Sequence, residues 1–127
     1  MEKQVLARAD PMKIMKESKG NGKKTLIWKD AEVADNPLQH VKGIMFRKKI
    51  IKPLLFVFGG ESSVSIHSYF CIPFDIIYLD KFGKIVKIIE NVEPNSTLPG
   101  VRCKYIIECR PGEARKKKLK KRDILSF

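Results

Sequence analysis

Val64-Ser-Ile-His-Ser-Tyr-Phe-Cys-Ile-Pro-Phe-Asp-Ile-Ile-Tyr-Leu-Asp80 is the stretch from which the fold is read. It holds two strand-like runs, 64–68 and 75–79, rich in the Val, Ile and Tyr that suit a pleated surface, with Pro73 dividing them. In the first run Val64 and Ile66 share one face, and Ser63, Ser65, His67 and Tyr69 share the other. The second run, Ile76-Ile-Tyr-Leu79, has no polar face and is expected to be covered on both sides. Asp75 stands between Phe74 and Ile76. A carboxylate in that setting needs a cation or N–H groups as partners, because burying it unpaired is costly.

Upstream, Leu54-Leu-Phe-Val-Phe58 is wholly apolar and bounded by Pro53 and Gly59-Gly60, which predicts a central strand. Met12–Lys16 and Thr25–Trp28 flank the turn-forming Ser18-Lys-Gly-Asn-Gly-Lys23, a hairpin pattern. Asn36-Pro37 is a helix start, and Leu38, Val41 and Met45 continue it as one stripe, so a helix is expected near 37–43. Downstream, Asp80-Lys-Phe-Gly83 reads as a hairpin turn. The run 85–92 fits either period, and its β-branched residues favour a strand. Residues 93–101 read as a loop, and Cys103–Cys109 as a strand with Cys103, Tyr105, Ile107 and Cys109 on one face. Pro111–Leu119 reads as a short polar helix or turn anchored by Ala114 and Leu119, and 123–127 as a last strand. There is no alternating βαβ rhythm. The fold class expected is therefore mainly β, at the margin of α+β: a small antiparallel barrel or sandwich with one or two short helices. Residues 1–11 are expected to form a loose arm and 12–127 a single β-rich domain.

The segment His67-Ser-Tyr-Phe-Cys-Ile-Pro-Phe-Asp75-Ile-Ile-Tyr-Leu-Asp80 resembles the signature of the domain of unknown function 192 family. Gly43-Ile-Met-Phe-Arg47 and Leu55-Phe-Val-Phe58 match that family's other two markers in order and spacing, and the resemblance runs from Met12 to Phe127. It implies a compact, mostly β domain of uncharacterised function, with no activity to carry over. The chain departs from the family pattern in having Cys71 where Met is usual and in a lysine run near its end.

At 127 residues, 43% hydrophobic and 31% charged, the chain has the composition of a soluble globular domain. No run is apolar enough for a leader or a membrane span, so no membrane partner and a cytoplasmic location are expected. Cys103 and Cys109 stand about 20 Å apart if the run between them is extended. That is too far for a disulfide, and reduced thiols are expected throughout. Abundant Lys and Ile with only two Gln give a thermophile-like composition.

The net charge of +12 speaks most directly about partners. Residues 110–127 carry eight basic and two acidic side chains, which is half of the excess. Arg115, Lys116, Lys117, Lys118, Lys120, Lys121 and Arg122 form a candidate anion-binding segment, whose affinity would come from counterion release. The competing reading of the same charges is a solvated face that keeps the chain soluble. His67, Tyr69, Asp75 and Arg47 form a candidate polar pocket. Asp75 with Arg47 is expected more as a structural clamp than as catalytic machinery. No nucleophile–base spacing, metal-ligand spacing or nucleotide loop is present, so no catalytic residue, metal or cofactor is assigned. Two functional readings follow. One is a non-enzymatic module that binds an acidic partner such as nucleic acid, without sequence preference, through its C-terminal segment. The alternative is a pocket-bearing domain, an enzyme of unknown reaction, centred on His67 and Asp75.

Overall fold

The computed structural model describes residues 12–35, 45 and 47–127, so the N-terminal arm and the helix expected near 37–43 lie outside the described residues. Seven strands form one sheet in the order β5-β4-β6-β3-β2-β1-β7. They are β1 (Met12–Glu17), β2 (Lys24–Ala34), β3 (Leu54–His67), β4 (Phe74–Leu79), β5 (Ile85–Val92), β6 (Thr97–Cys109) and β7 (Leu125–Ser126). The two ends of the sheet meet through a bridge between Lys84 and Ile124. Around it, the Ile85 N–H donates to the Asp123 carbonyl and the Leu125 N–H to the Gly83 carbonyl, each at 2.8 Å. Among the described residues the result is a nearly closed β barrel with one short helix, Glu113–Lys116. Gly83 is required at the closure. It has φ 82°, and a Cβ there would run into the Leu125 carbonyl oxygen.

The apolar run that organises the sequence is fully buried, as its lack of a polar face predicts. Ile77 and Leu79 pack with Leu55, Ile107, Trp28 and Leu125 in one cluster. Phe74, Ile76 and Tyr78 pack with Leu54, Phe56 and Ile106 in the other. Each such side chain removed from water contributes about 1.5–3 kcal/mol, so a strand buried on both faces is a main source of stability.

Four details differ from the sequence reading. The β2–β3 pair is parallel, from Glu32↔Leu54 to Ala34↔Phe56, so the barrel is not wholly antiparallel. The runs 54–58 and 64–68 belong to one strand, because Gly59-Gly60 does not end β3. Pairing passes from Val57↔Tyr105 to Ser62↔Cys103, a bulge that absorbs the extra residues of β3. Opposite that extension, β6 starts at Thr97, well inside the expected loop. The same irregularity separates the cysteines. Cys103 joins one core cluster and Cys109 the other, rather than sharing a face. All three cysteines are free thiols.

Candidate functional site

Asp75 is completely buried, and both of its oxygens accept backbone N–H groups. One oxygen takes the Asn91 N–H at 2.8 Å. The other takes those of Gly112 at 3.0 Å and Ala114 at 3.2 Å. Of the two kinds of partner expected for Asp75, Arg47 or backbone N–H groups, the structure shows the second. Arg47 forks onto Glu32 instead, at 2.8 and 3.0 Å, and this contact is what raises its pKa most. The reason is local: Gly112, Asn91 and the start of the short helix bring three N–H groups to Asp75, which satisfies a carboxylate without a cation. Asp75 thus fastens the start of the basic segment to the barrel.

From that anchor the segment runs across the barrel with its apolar and acidic side chains turned in. Ala114 and Leu119 enter the core cluster that contains Trp28 and Ile14. Buried Glu113 accepts the Trp28 indole N–H at 3.2 Å. Buried Asp123 accepts the Lys120 N–H at 3.0 Å and pairs with Lys16 at 3.3 Å. Lys118 and Arg122 adopt positive φ, at 58° and 82°, which bends the chain between these anchors. The outward side chains are basic: Arg115, Lys116, Lys118, Lys120, Lys121 and Arg122 are exposed, and Lys117 is half-buried. Arg115 pairs with Glu90. Among the described residues the other six form no ion pair.

Sequence reasoning missed what stands beside this segment. A cleft of about 550 Å³ is lined by Glu17, Lys19 and Gly20 from the β1–β2 hairpin, Lys84 from the β4–β5 turn, and Arg122 and Asp123. Lys19 and Lys84 lie far from the lysine run in sequence, and only closure of the barrel brings them to it.

The four residues of the candidate polar pocket do not come together. His67 is exposed at the end of β3, opposite Thr97. Its ring stacks on Tyr69 at 4.8 Å, and its Nδ1 accepts the Tyr69 N–H. The Tyr69 hydroxyl bonds to the Thr97 hydroxyl at 3.2 Å. Asp75 is sealed in the core opposite Cys109, and no hydrogen bond joins it to His67 among the described residues.

A second buried acid also escaped the sequence reading. Glu108 is 4% exposed and shares a sheet face with Tyr78, from which it is offset by one diagonal step on the adjacent strand. Burial pushes its carboxyl up to about 8, against a lowering by the charge of Arg47. The Tyr78 hydroxyl is buried without a hydrogen-bond partner among the described residues. Burial, then the neighbouring Cys103 and Glu108, raises its pKa and holds it neutral. Cys71, half-buried, is likewise held neutral, pushed up to about 11 chiefly by burial. At neutral pH these groups are mostly uncharged. Among the described residues no set of three His, Cys, Asp or Glu side chains is placed to hold a metal ion. Nor is any helix among them long and apolar enough to cross a membrane.

Comparison with known proteins agrees with this architecture. The chain is 30% identical over 92 residues to the UPF0127 protein PH1112 of Pyrococcus horikoshii, covering 69% of this chain and 79% of that one. A solved structure from Novosphingobium aromaticivorans, of a protein of unknown function, superposes with a TM-score of 0.78 at 19% identity, covering 100% of this chain and 99% of that one. One from Sinorhizobium meliloti superposes with a TM-score of 0.75 at 23% identity, over 92% and 95% of the two chains. At such identities these two structures speak for the fold alone. The model of the family DUF192, described as "Uncharacterized ACR", matches residues 16–127, and the chain belongs to that family.

Proposed function

We propose that this chain is a non-enzymatic cytoplasmic module that binds nucleic acid, without sequence preference, through the basic surface of its C-terminal segment. The observation that carries the reading is the placement of six basic side chains, Lys116, Lys117, Lys118, Lys120, Lys121 and Arg122, on a segment whose backbone is fixed by Asp75, Glu113 and Asp123. Exposed cations on a fixed backbone offer the charges of a phosphodiester chain several partners. Such a backbone also loses little conformational freedom on binding.

A solvated face would carry the same composition, so the test must separate the two. Binding to a mixed-sequence DNA duplex is followed by fluorescence anisotropy as salt is raised. Affinity is expected to fall steeply and linearly on logarithmic axes. Replacing Lys116, Lys117 and Lys118 together by Gln is expected to lower the slope by roughly 2–3, at about 0.9 for each phosphate no longer neutralised. No binding at low salt, or an unchanged slope, leaves these lysines only the role of keeping the chain soluble. The alternative centred on His67 and Asp75 is favoured by no contact between them.

A further inference from the structure

We propose that the cleft between the β1–β2 hairpin and the C-terminal segment is a seat for a terminal phosphate, a phosphomonoester at the end of a nucleic-acid strand. The proposal rests on the reading of the C-terminal surface as one that binds nucleic acid. It assigns a distinct ligand group to a distinct place.

Three cations from three separate elements line one volume of about 550 Å³: Lys19 from a hairpin, Lys84 from a turn and Arg122 from the C-terminal segment. The basic side chains of 115–121 are not among those that line this cleft. A phosphodiester carries one negative charge, whereas a phosphomonoester carries about 1.5 to 2 at pH 7 and three acceptor oxygens. A cleft lined by three cations and two carboxylates, one of which is already paired, therefore favours the end group over a diester. Size points the same way. The cleft falls within the roughly 300–1,000 Å³ of sites that take small ligands, so a strand end enters it and a duplex rests outside.

Two carboxylates also line the cleft, and they decide the sign of the test. Asp123 is already engaged, accepting the Lys120 N–H and pairing with Lys16 at 3.3 Å. Glu17 makes no ion pair among the described residues, and its charge opposes an anion. Its backbone is held by pairing with Lys24 and by its N–H, which donates to the Ile124 carbonyl at 2.9 Å. Glu17→Gln therefore changes the cleft's charge with the backbone held.

The experiment compares two single-stranded octamers of one sequence, one with a 5′-phosphate and one with a 5′-hydroxyl, by anisotropy at fixed salt. The wild-type chain is expected to bind the phosphorylated strand at least about fivefold more tightly, a difference of roughly 1 kcal/mol. Lys19→Gln and Lys84→Gln are expected to reduce that ratio toward one, Glu17→Gln to increase it, and the Lys116, Lys117 and Lys118 triple replacement to keep it while weakening both strands. Equal affinities in the wild type, with salt-dependent binding intact, overturn the terminal-phosphate seat and leave the nucleic-acid reading standing. A ratio that Lys19→Gln and Lys84→Gln leave unchanged overturns the assignment to this cleft. No binding of either strand overturns both.

Discussion

Replacing Asp75 tests how the basic segment is attached to the barrel. The carboxylate is fully buried and accepts three backbone N–H groups, from Asn91, Gly112 and Ala114. Asp75→Ala removes the acceptor and leaves three donors facing a cavity. An unsatisfied buried group costs about 1–3 kcal/mol, and water entering the cavity recovers part of that, so a loss of about 3–5 kcal/mol is expected. Asp75→Asn keeps the shape. With its oxygen toward Gly112 and Ala114, its amide opposes only the Asn91 N–H, and a loss of about 1–3 kcal/mol is expected. Against a total stability on the order of 5–15 kcal/mol, the alanine change is severe and the asparagine change moderate. Urea melts followed by tryptophan fluorescence measure both, since Trp28 is buried and bonded to Glu113 of the short helix. A common slope with midpoints in the order wild type, Asn, Ala is the expected result. Midpoints for both variants within about 0.5 kcal/mol of wild type, the range of ordinary surface changes, would refute the clamp.

The other two predictions concern the opposite sheet face. Glu108 is held protonated up to about pH 8, above its ordinary value of 4.5, so the folded state binds the extra proton between those limits. Its contribution to stability is therefore greatest below about pH 4.5 and is lost as pH rises toward 8. Glu108→Gln is expected to gain on the wild type across that window, by up to several kcal/mol at pH 8.5, in urea midpoints measured at pH 5 and 8.5. A gap that does not widen with pH would refute the assignment. Tyr78→Phe removes a buried hydroxyl that lacks a partner among the described residues, so thermal melts are expected to show a change between none and a gain of about 1 kcal/mol. A loss above about 1.5 kcal/mol would reveal a partner for the hydroxyl.

The difference between Asp75 and Glu108 shows how far the sequence can be read. Both are acids inside apolar runs, Phe74-Asp75-Ile76 and Ile107-Glu108-Cys109. The sequence reading singled out Asp75, and the same rule applied to Glu108 would have found it. Which partner each acid meets is a tertiary question, because Gly112 and Ala114 reach Asp75 from 37 and 39 residues away. Strand identity was legible wherever an apolar run was long, as in β4 and at the start of β3. It failed at 59–63 and 97–101, where Gly, Ser and Pro read as a break. There Ser62 and Ser63 pair with Cys103 and Arg102, and Thr97, Leu98 and Val101 pair with His67, Ile66 and Val64, so cross-strand hydrogen bonding overrides composition. The cysteine faces failed for a related reason: alternation within β6 breaks between Cys103, in one cluster, and Tyr105, Ile107 and Cys109, in the other, opposite the irregular step from Val57 to Ser62. In the candidate site, the lysine run was legible from charge alone. Lys19 and Lys84 were not, since barrel closure alone places them beside it.

The C-terminal segment completes the barrel and also carries the charge, and one arrangement of acids serves both. Ala114, Leu119 and Leu125 supply apolar contacts to the core, and the Leu125 N–H seals the sheet against Gly83. Seven cations between 115 and 122 repel one another, which works against compactness. In their own segment only Glu113 and Asp123, both buried, relieve this. The structure adds acids from elsewhere: Glu90 meets Arg115, and buried Asp75 accepts N–H groups at the start of the short helix. These acids face inward or sideways, and the outward surface keeps its positive field. If the charges served solubility alone, the acids that steady the segment could equally stand among the lysines on the surface. Their burial fixes the segment's course without neutralising the face it presents, as the proposed binding of a polyanion needs.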